Sequence, residues 1–409
     1  MTVVSPTESR FSDRADLVVY FATTQYDGPA GTDRHLADQL SRYAPVLFVD
    51  PPISVLTLRN HPDLRRLADE PKLRVLRPRL ARLIPWVVPG VTRPGLHRLV
   101  APTMRRATRA AVARLAAPVR RGADTRLAAV VSTRIDDLWS AAPARRTLFY
   151  ATDDVTAGAD LLGMPRERLL RHEARTLRTA ETVAAVSPPL VRRYTDAGYP
   201  AFLVPNGCDP AAYAEVDAVP PAAEVRLPGP VAGFVGHLNS RIDLALLEAV
   251  ADAGHSLLLV GPRAPGYQPE RFDALVGRRN VQWVGAKPFA ALPGYLRVID
   301  VGLTPYAQTA FNQASFPLKT LEYLAAGRAV VATPLPATNW LGTDLIQVAA
   351  EPAQFAAQVA AALSAPRPAT LVARRREFAA RHSWAVRARL IADLVDLPDP
   401  SPTEGEPPA

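Results

Sequence analysis

Asn312–Pro336 reads NQASFPLKTLEYLAAGRAVVATPLP, and it fixes how the second half of the chain is parsed. It follows a short apolar run, Val301–Thr304 (VGLT), which predicts a buried strand. A polar loop then leads to a helix predicted to start near Pro317, because proline is favourable in a first helical turn. Gly327 predicts the end of that helix, and Ala329–Ala332 predicts the next strand. Strand, loop, helix, strand at this spacing is the repeating unit of a parallel sheet.

The same alternation extends to both sides. Strands are predicted at Val231–Val235, Ser256–Val260 and Val281–Val284, with a helix over Leu244–Ala253. Residues 209–229 mix prolines, acids and alanines without periodicity and are read as a linker. In the first half, a strand over Asp16–Thr23 meets a glycine-bearing loop, YDGPAGTDR, then a helix over Arg34–Arg42 and a strand over Pro45–Asp50. Further strands are predicted at Leu127–Ser132, Thr147–Tyr150, Thr182–Val186 and Phe202–Pro205, with helices over Arg98–Leu115 and Arg166–Thr179. The rest of Val55–Arg126 gives no clear pattern. A last helix is expected over Trp384–Leu394, followed by a Pro- and acid-rich tail read as disordered. The expected division is therefore a first α/β domain over 1–208, a linker over 209–229, a second over 230–382, a helix over 383–396 and a tail over 397–409.

Bulk properties agree with two globular domains. A chain of 409 residues exceeds what one core usually supports, and 48% hydrophobic content excludes a disordered class. The formal charge of +9 suits phosphate-bearing partners, although arginine enrichment from genome composition would give the same excess. A single cysteine, Cys208, excludes an internal disulfide and fits a reducing compartment. With no apolar leader or long apolar run in view, a cytoplasmic location is expected, with contact at the inner membrane face left open.

Chemistry concentrates around the helix predicted after Pro317. Its start offers unpaired amides and a positive dipole end, a natural place for phosphate. Lys319 adds a full charge, and Glu322 shares its face one turn later. A cation for a diphosphate beside a carboxylate for ribose hydroxyls suits a nucleotide-sugar site; a plain surface ion pair is the other reading.

The string PLKTLEYLAAGRAVVAT resembles the donor-site signature of GT-B glycosyltransferases, in particular the large retaining group known as family 4, or group 1. VAGFVGHLNSRIDLALLEAV, LLLVGP, NVQWVGAKPFAALPGYL and DVGLTPY follow that group's order, and VPNGCD resembles the segment closing its first domain. In detail the chain is most similar to polysaccharide-type transferases such as those for teichuronic acid. The resemblance implies an α/β GT-B fold: two Rossmann-like domains facing across a cleft, with a C-terminal helix crossing back to the first. It implies that Glu322 binds the donor ribose, that Gly236 and His237 open a loop whose Arg241 meets the diphosphate, and that Gly285 and Lys287 frame the base. Pro317, Leu318 and Lys319 would line the phosphate and sugar. The first glutamate of the family's E-x7-E motif falls on Ala314, which puts the sugar and the retaining outcome in question.

The first domain is expected to take the acceptor. Gly28, Gly31, Arg34 and His35 belong to or follow its glycine loop, and Asp153 and Asp154 end a strand where one could orient or deprotonate a hydroxyl. Capping a helix is an equal alternative for these aspartates. No cofactor is expected beyond a nucleotide-diphosphate sugar as donor, with UDP favoured. No metal is expected, because adjacent aspartates lack D-x-D spacing. The arginine-rich segment 77–121 reads either as a membrane-surface patch or as a solvated helical face. Nucleic-acid binding is not expected, since no module for it is visible. The expected activity is transfer of a sugar to a hydroxyl acceptor; a sugar-nucleotide epimerase or hydrolase on the same fold, and a non-catalytic binding subunit, are the alternatives.

Overall fold

The computed structural model describes residues 11, 13–28, 31–88, 99–116 and 126–400. The chain divides into two compact units: Met1–Val186 with Val191–Val204 and Arg387–Ala409, and Ser187–Leu190 with Pro205–Val386.

The first unit holds eight strands: β1 (Val18–Phe21), β2 (Val46–Val49), β3 (Leu73–Arg77), β4 (Leu80–Leu83), β5 (Leu127–Ser132), β6 (Ala144–Ala151), β7 (Thr182–Ala185) and β8 (Ala201–Leu203). Their order is β3-β4-β2-β1-β5-β6-β7-β8, parallel throughout except for the β3–β4 pair. Every residue of β1, β2, β4 and β5 is buried, which explains the apolar runs of β1, β2 and β5: both faces of a parallel sheet are covered, while β4 (LARL) buries Arg82 and shows no such run. β3 (LRVLR) is a mostly exposed edge strand, so its charged residues hid it from a reading based on apolar runs.

Several arginines of 77–121 make intramolecular contacts where the residues are described. Arg77 pairs with Asp38 at 2.7 Å, and Arg82 is 2% exposed inside β4. On the helix Val100–Leu115, Arg105 donates to the carbonyl of Asp137 at 3.1 Å, and Arg109 to those of Ala141 at 3.1 Å and Ser140 at 2.7 Å. These guanidinium groups tie β4 and the helix Val100–Leu115 to neighbouring parts of the first unit. Residues 89–98 and 117–121 of that segment lie outside the described residues. Among the described residues, no helix is long and apolar enough to cross a membrane.

The second unit holds β9 (Val231–Val235), β10 (Ser256–Val260), β11 (Val281–Trp283), β12 (Val301–Thr304), β13 (Ala329–Ala332) and β14 (Ile346–Val348). The order β11-β10-β9-β12-β13-β14 is a wholly parallel, doubly wound 3-2-1-4-5-6 sheet. The winding reverses between β9 and β12, so the loops leaving their carboxyl ends diverge and open a crevice. Gly302 in β12 is required by packing: a Cβ there would lie 2.2 Å from the Tyr323 ring. The Tyr323 hydroxyl in turn accepts from the amide of Val235 at 2.8 Å, tying the helix Leu318–Ala325 to the end of β9.

The segment read as a linker packs into the second unit. Tyr213 and Val216 are each 1% exposed, and Asp217 accepts from the buried Arg328 at 2.8 Å and from Arg376 at 2.8 Å. Its anchors are a few apolar residues and ion pairs distant in sequence, which carry no local period. The VPNGCD stretch, from Pro205 onward, likewise groups with the second unit. The helix Trp384–Leu394 is present, and its residues from Arg387 group with the first unit.

Candidate functional site

Three of the second unit's parallel strands end in glycine, and the three loops bond to one another. The Gly236 amide after β9 donates to Val260 at 2.8 Å, and the Gly261 amide after β10 donates to Gly285 at 2.8 Å. Gly261 has φ +139°, and a Cβ on it would lie 1.9 Å from the Gly236 carbonyl oxygen, so only glycine fits. Gly261 sits inside the quoted LLLVGP, but nothing in the one-dimensional pattern marks it as the centre of this row.

The loop from Gly236 delivers Arg241 to the switch point. Arg241 Nε donates to Asn312 Oδ1 at 3.0 Å, while the Asn312 amide nitrogen donates to the carbonyls of Arg241 and Ala307, each at 2.8 Å. The guanidinium lies 4.9 Å from the Phe311 ring centroid and 5.5 Å from that of Tyr306. Asn312 is fully buried and fixes this geometry. Its sequence signal, one polar residue in a polar loop, was too weak to single out.

The helix Leu318–Ala325 begins one residue after Pro317, which is its N-cap, and no side chain caps it. Its first amides are thus left to other acceptors. Lys319 Nζ donates to Glu322 Oε2 at 2.6 Å, with both side chains largely shielded. Burial raises the pKa of the Tyr306 hydroxyl, the charges of Arg241 and Lys319 pull it down, and Glu322 pushes it up. Arg241, Lys319 and Glu322 therefore all act on the charge of one phenol. Burial and then Glu322 raise the pKa of Tyr213, which places the 209–229 segment beside the same carboxylate.

The loop before this helix is pinned from behind. Ser187 Oγ donates to the Ala314 carbonyl at 2.5 Å and Asn206 to the Phe316 carbonyl at 2.8 Å. Ala314 is 6% exposed, a methyl group where the family motif has a carboxylate. Partial desolvation and then the Arg241 charge hold the His237 imidazole below its usual pKa, so it is neutral at neutral pH. Lys287 donates to Glu224 Oε1 at 2.6 Å, which raises its pKa. The structure groups Gly236, His237, Arg241, Lys319 and Glu322, with Pro317 and Leu318 at the helix start. Gly285 joins through the glycine row.

In the first unit, the residue that organises the glycine loop is Asp33, which the sequence reading passed over. Its Oδ1 accepts from Tyr20 at 3.1 Å and Thr133 at 2.8 Å. Its Oδ2 accepts from the amides and hydroxyls of Thr23 and Thr24 at 2.8–3.0 Å. One carboxylate thereby ties the loop after β1, the helix Thr32–Leu40 and the end of β5. Gly31 is that helix's N-cap in extended conformation, and the Gly28 amide closes a turn onto Gln25 at 3.0 Å. Arg34 lies over the Tyr26 ring at 5.1 Å, and the His35 amide bonds to Gly31 at 3.1 Å.

Asp154 is committed to a turn. Its Oδ1 accepts from the Thr156 and Ala157 amides at 3.0 and 2.9 Å and pairs with Arg193 at 2.7 Å. Its pKa is lowered: burial opposes the shift, but these hydrogen bonds and Arg193 outweigh it. A carboxylate so held is a poor proton acceptor. Asp153 is the member of the pair left to consider on the acceptor side.

Beneath the glycine loop, Arg82 Nε donates to Asp50 Oδ2 at 2.7 Å and its Nη1 to Glu70 Oε2 at 2.9 Å, and it also contacts Asp27. Asp50 in turn accepts from the Tyr26 amide at 2.9 Å. Burial pushes the Asp50 carboxyl up to about 6 against the pull of Arg82. The folded chain thus keeps this proton to a higher pH than the unfolded chain, so the group costs stability as pH rises through that value. Asp50→Asn removes the titration. The stability of the native chain relative to this variant is expected to climb as pH is lowered from about 7 to about 5, measured by urea unfolding. A flat difference would show that Asp50 does not titrate there.

Residues 229–365 match the family described as glycosyl transferases group 1. The second unit carries a group 1 glycosyl transferase domain. Over 174 residues, the chain is 32% identical to TuaH of Bacillus subtilis (strain 168), which bears the name of a teichuronic acid biosynthesis glycosyltransferase. That alignment covers 41% of this chain and 44% of TuaH, so the match spans less than half of the relative's length. Around this domain, the whole fold is similar to solved structures. Sucrose-phosphate synthase of Thermosynechococcus elongatus has a TM-score of 0.69 at 17% identity, covering 93% of this chain and 98% of that one. The E. coli trehalose-6-phosphate structure bound with UDP-2-fluoro glucose has a TM-score of 0.64 at 14% identity, covering 93% and 99%. Anabaena Alr3699/HepE in complex with UDP has a TM-score of 0.61 at 15% identity, again covering 93% and 99%. These likenesses establish the GT-B fold in which the group 1 domain sits.

Proposed function

We propose that the protein is a glycosyltransferase that moves a sugar from a nucleotide diphosphate, with UDP favoured, to a hydroxyl acceptor. The observation that carries this is the Lys319–Glu322 pair at an uncapped helix start, with Arg241 held over Tyr306 at the switch point of the second sheet. Two cations and free helix amides suit a diphosphate, and the carboxylate one turn on suits ribose hydroxyls. UDP is favoured because two of the similar structures hold UDP or a UDP-sugar.

Lys319 and Glu322 pair at 2.6 Å. A bound diphosphate would compete for Lys319 and leave Glu322 to accept from the ribose. As the bond between the anomeric carbon and the diphosphate oxygen breaks, Arg241 and Lys319 stabilise the charge gathering on the leaving group. The acceptor oxygen forms the new bond to that carbon, and its proton passes to the departing phosphate on the same face. This retaining course is favoured because Asp154, one of the two carboxylates an inverting course would use as base, is tied to Arg193.

The test is thermal unfolding with UDP, GDP, dTDP and ADP. Saturating UDP is expected to raise the unfolding temperature by roughly 5 °C or more, as ligand in large excess over its Kd does for a domain of this size. Glu322→Ala and Lys319→Ala should abolish the shift. No shift with any of the four would place the donor elsewhere.

A further inference from the structure

The first unit has a cavity of about 690 Å³ at the end of its sheet opposite the glycine loop. The candidate acceptor residues follow the carboxyl ends of β1 and β6. The cavity is built from residues at the amino ends of five adjacent strands, β4, β2, β1, β5 and β6. Arg79 immediately precedes β4, Arg126 precedes β5, and Arg145 and Arg146 lie in the first turn of chain of β6. Tyr43 lies just before β2. Four guanidinium groups thus face the cavity, against the carboxylates of Asp16 and Asp396.

Asp396 shows what this charge accommodates. It reaches back with φ +53° to place Oδ2 at 2.6 Å from Nε and 2.5 Å from Nη2 of Arg146. A single anionic oxygen therefore sits in the fork of a guanidinium, the arrangement arginine offers to phosphate. Arg146 also donates to Glu181 at 2.8 Å, and Arg145 to the Ala15 carbonyl at 2.5 Å, so the fork is held in place from behind. The Asp396 side chain is 63% exposed and can be displaced without unpacking a core. The cavity has the size of small-molecule sites, well beyond inorganic phosphate, and Tyr43 and Leu397 add apolar wall.

We propose that this cavity is a second binding site, for an organic phosphate, with Asp396 as the internal carboxylate that yields its place to the ligand. The phosphate takes the Arg146 fork and the charges of Arg79 and Arg126, and the organic part rests on Tyr43 and Leu397. The chemistry is shared by soluble phosphate esters and phospholipid headgroups, and the two sources are separated by experiment.

The measurement uses full-length Arg241→Ala/Lys319→Ala protein, so that phosphate binding at the group 1 domain does not contribute. Glucose 6-phosphate is titrated by calorimetry, and vesicles of phosphatidylcholine with phosphatidic acid are tested by co-sedimentation. Saturable binding of either is expected. It should weaken about tenfold or more in Arg79→Gln/Arg126→Gln, two exposed positions, and strengthen in Asp396→Asn, which removes the internal competitor. Glucose 6-phosphate binding identifies a soluble ligand; vesicle binding alone identifies a headgroup. Binding of neither at millimolar phosphate, or binding that both variants leave unchanged, overturns the proposal.

Discussion

Lys319→Ala is expected to lower turnover by about 10²–10³-fold while moving the unfolding temperature by no more than roughly 3 °C. The asymmetry follows from where the charge acts. Lys319 pairs with Glu322, an i,i+3 partner on the same helix, and such pairs contribute little to stability. In the reaction we propose, it would face negative charge that grows as the glycosidic bond breaks, at a helix start that supplies further donors. Lys319→Arg should recover part of the rate, because charge survives although the geometry does not. Initial rates with a saturating UDP-sugar, set beside calorimetric melts of the same preparations, provide the check. Parallel loss of activity and stability would reduce Lys319 to a structural residue.

Arg82→Met is expected to be the most damaging single change to the first unit, costing about 3–5 kcal/mol. Arg82 is 2% exposed and the common partner of Asp50, Glu70 and Asp27. Removing it leaves a fully buried Asp50 that must take up a proton or stay ionised without its partner, and at neutral pH either costs stability. The unfolding temperature of the first unit should fall by roughly 10 °C. Adding Asp50→Asn to Arg82→Met should restore a good part of the loss, because the uncompensated charge is then gone. A double variant no more stable than Arg82→Met alone would show that packing of the arginine, not its charge, is what the site needs. The same network holds the glycine loop through the bond from the Tyr26 amide to Asp50. Arg82→Met should therefore also loosen that loop, read as faster hydrogen exchange over residues 22–28.

The strand runs were legible because burial on both faces leaves uninterrupted apolar stretches, as in β1 (VVYF), β9 (VAGFV) and β12 (VGLT). Two of the edges were not, the exposed and charged β3 and the short β14, whereas the edges β8 and β11 were. Among site residues, Lys319 and Glu322 could be paired from sequence because one helical turn fixes their distance. The partnership of Arg241 with Asn312, 71 residues apart, could not be. Lys287 was legible as a cation in a loop after a strand, but its engagement by Glu224 was not.

Sequence by itself determined the alternation of strand and helix, the glycines that end the strands, and the proline-led helix bearing Lys319 and Glu322. All of these are local, set by backbone sterics and by periods of two or 3.6 residues. Tertiary structure alone decided that Asp33 ties three elements, that Arg82 is buried among carboxylates, that residues of 209–229 pack against the second unit, and that four arginines at the starts of three strands line one cavity. Those features rest on charge and hydrogen-bond pairing between residues far apart in the chain. Electrostatic pairing has no period along the sequence, so it becomes visible only when the sheet brings its strands side by side.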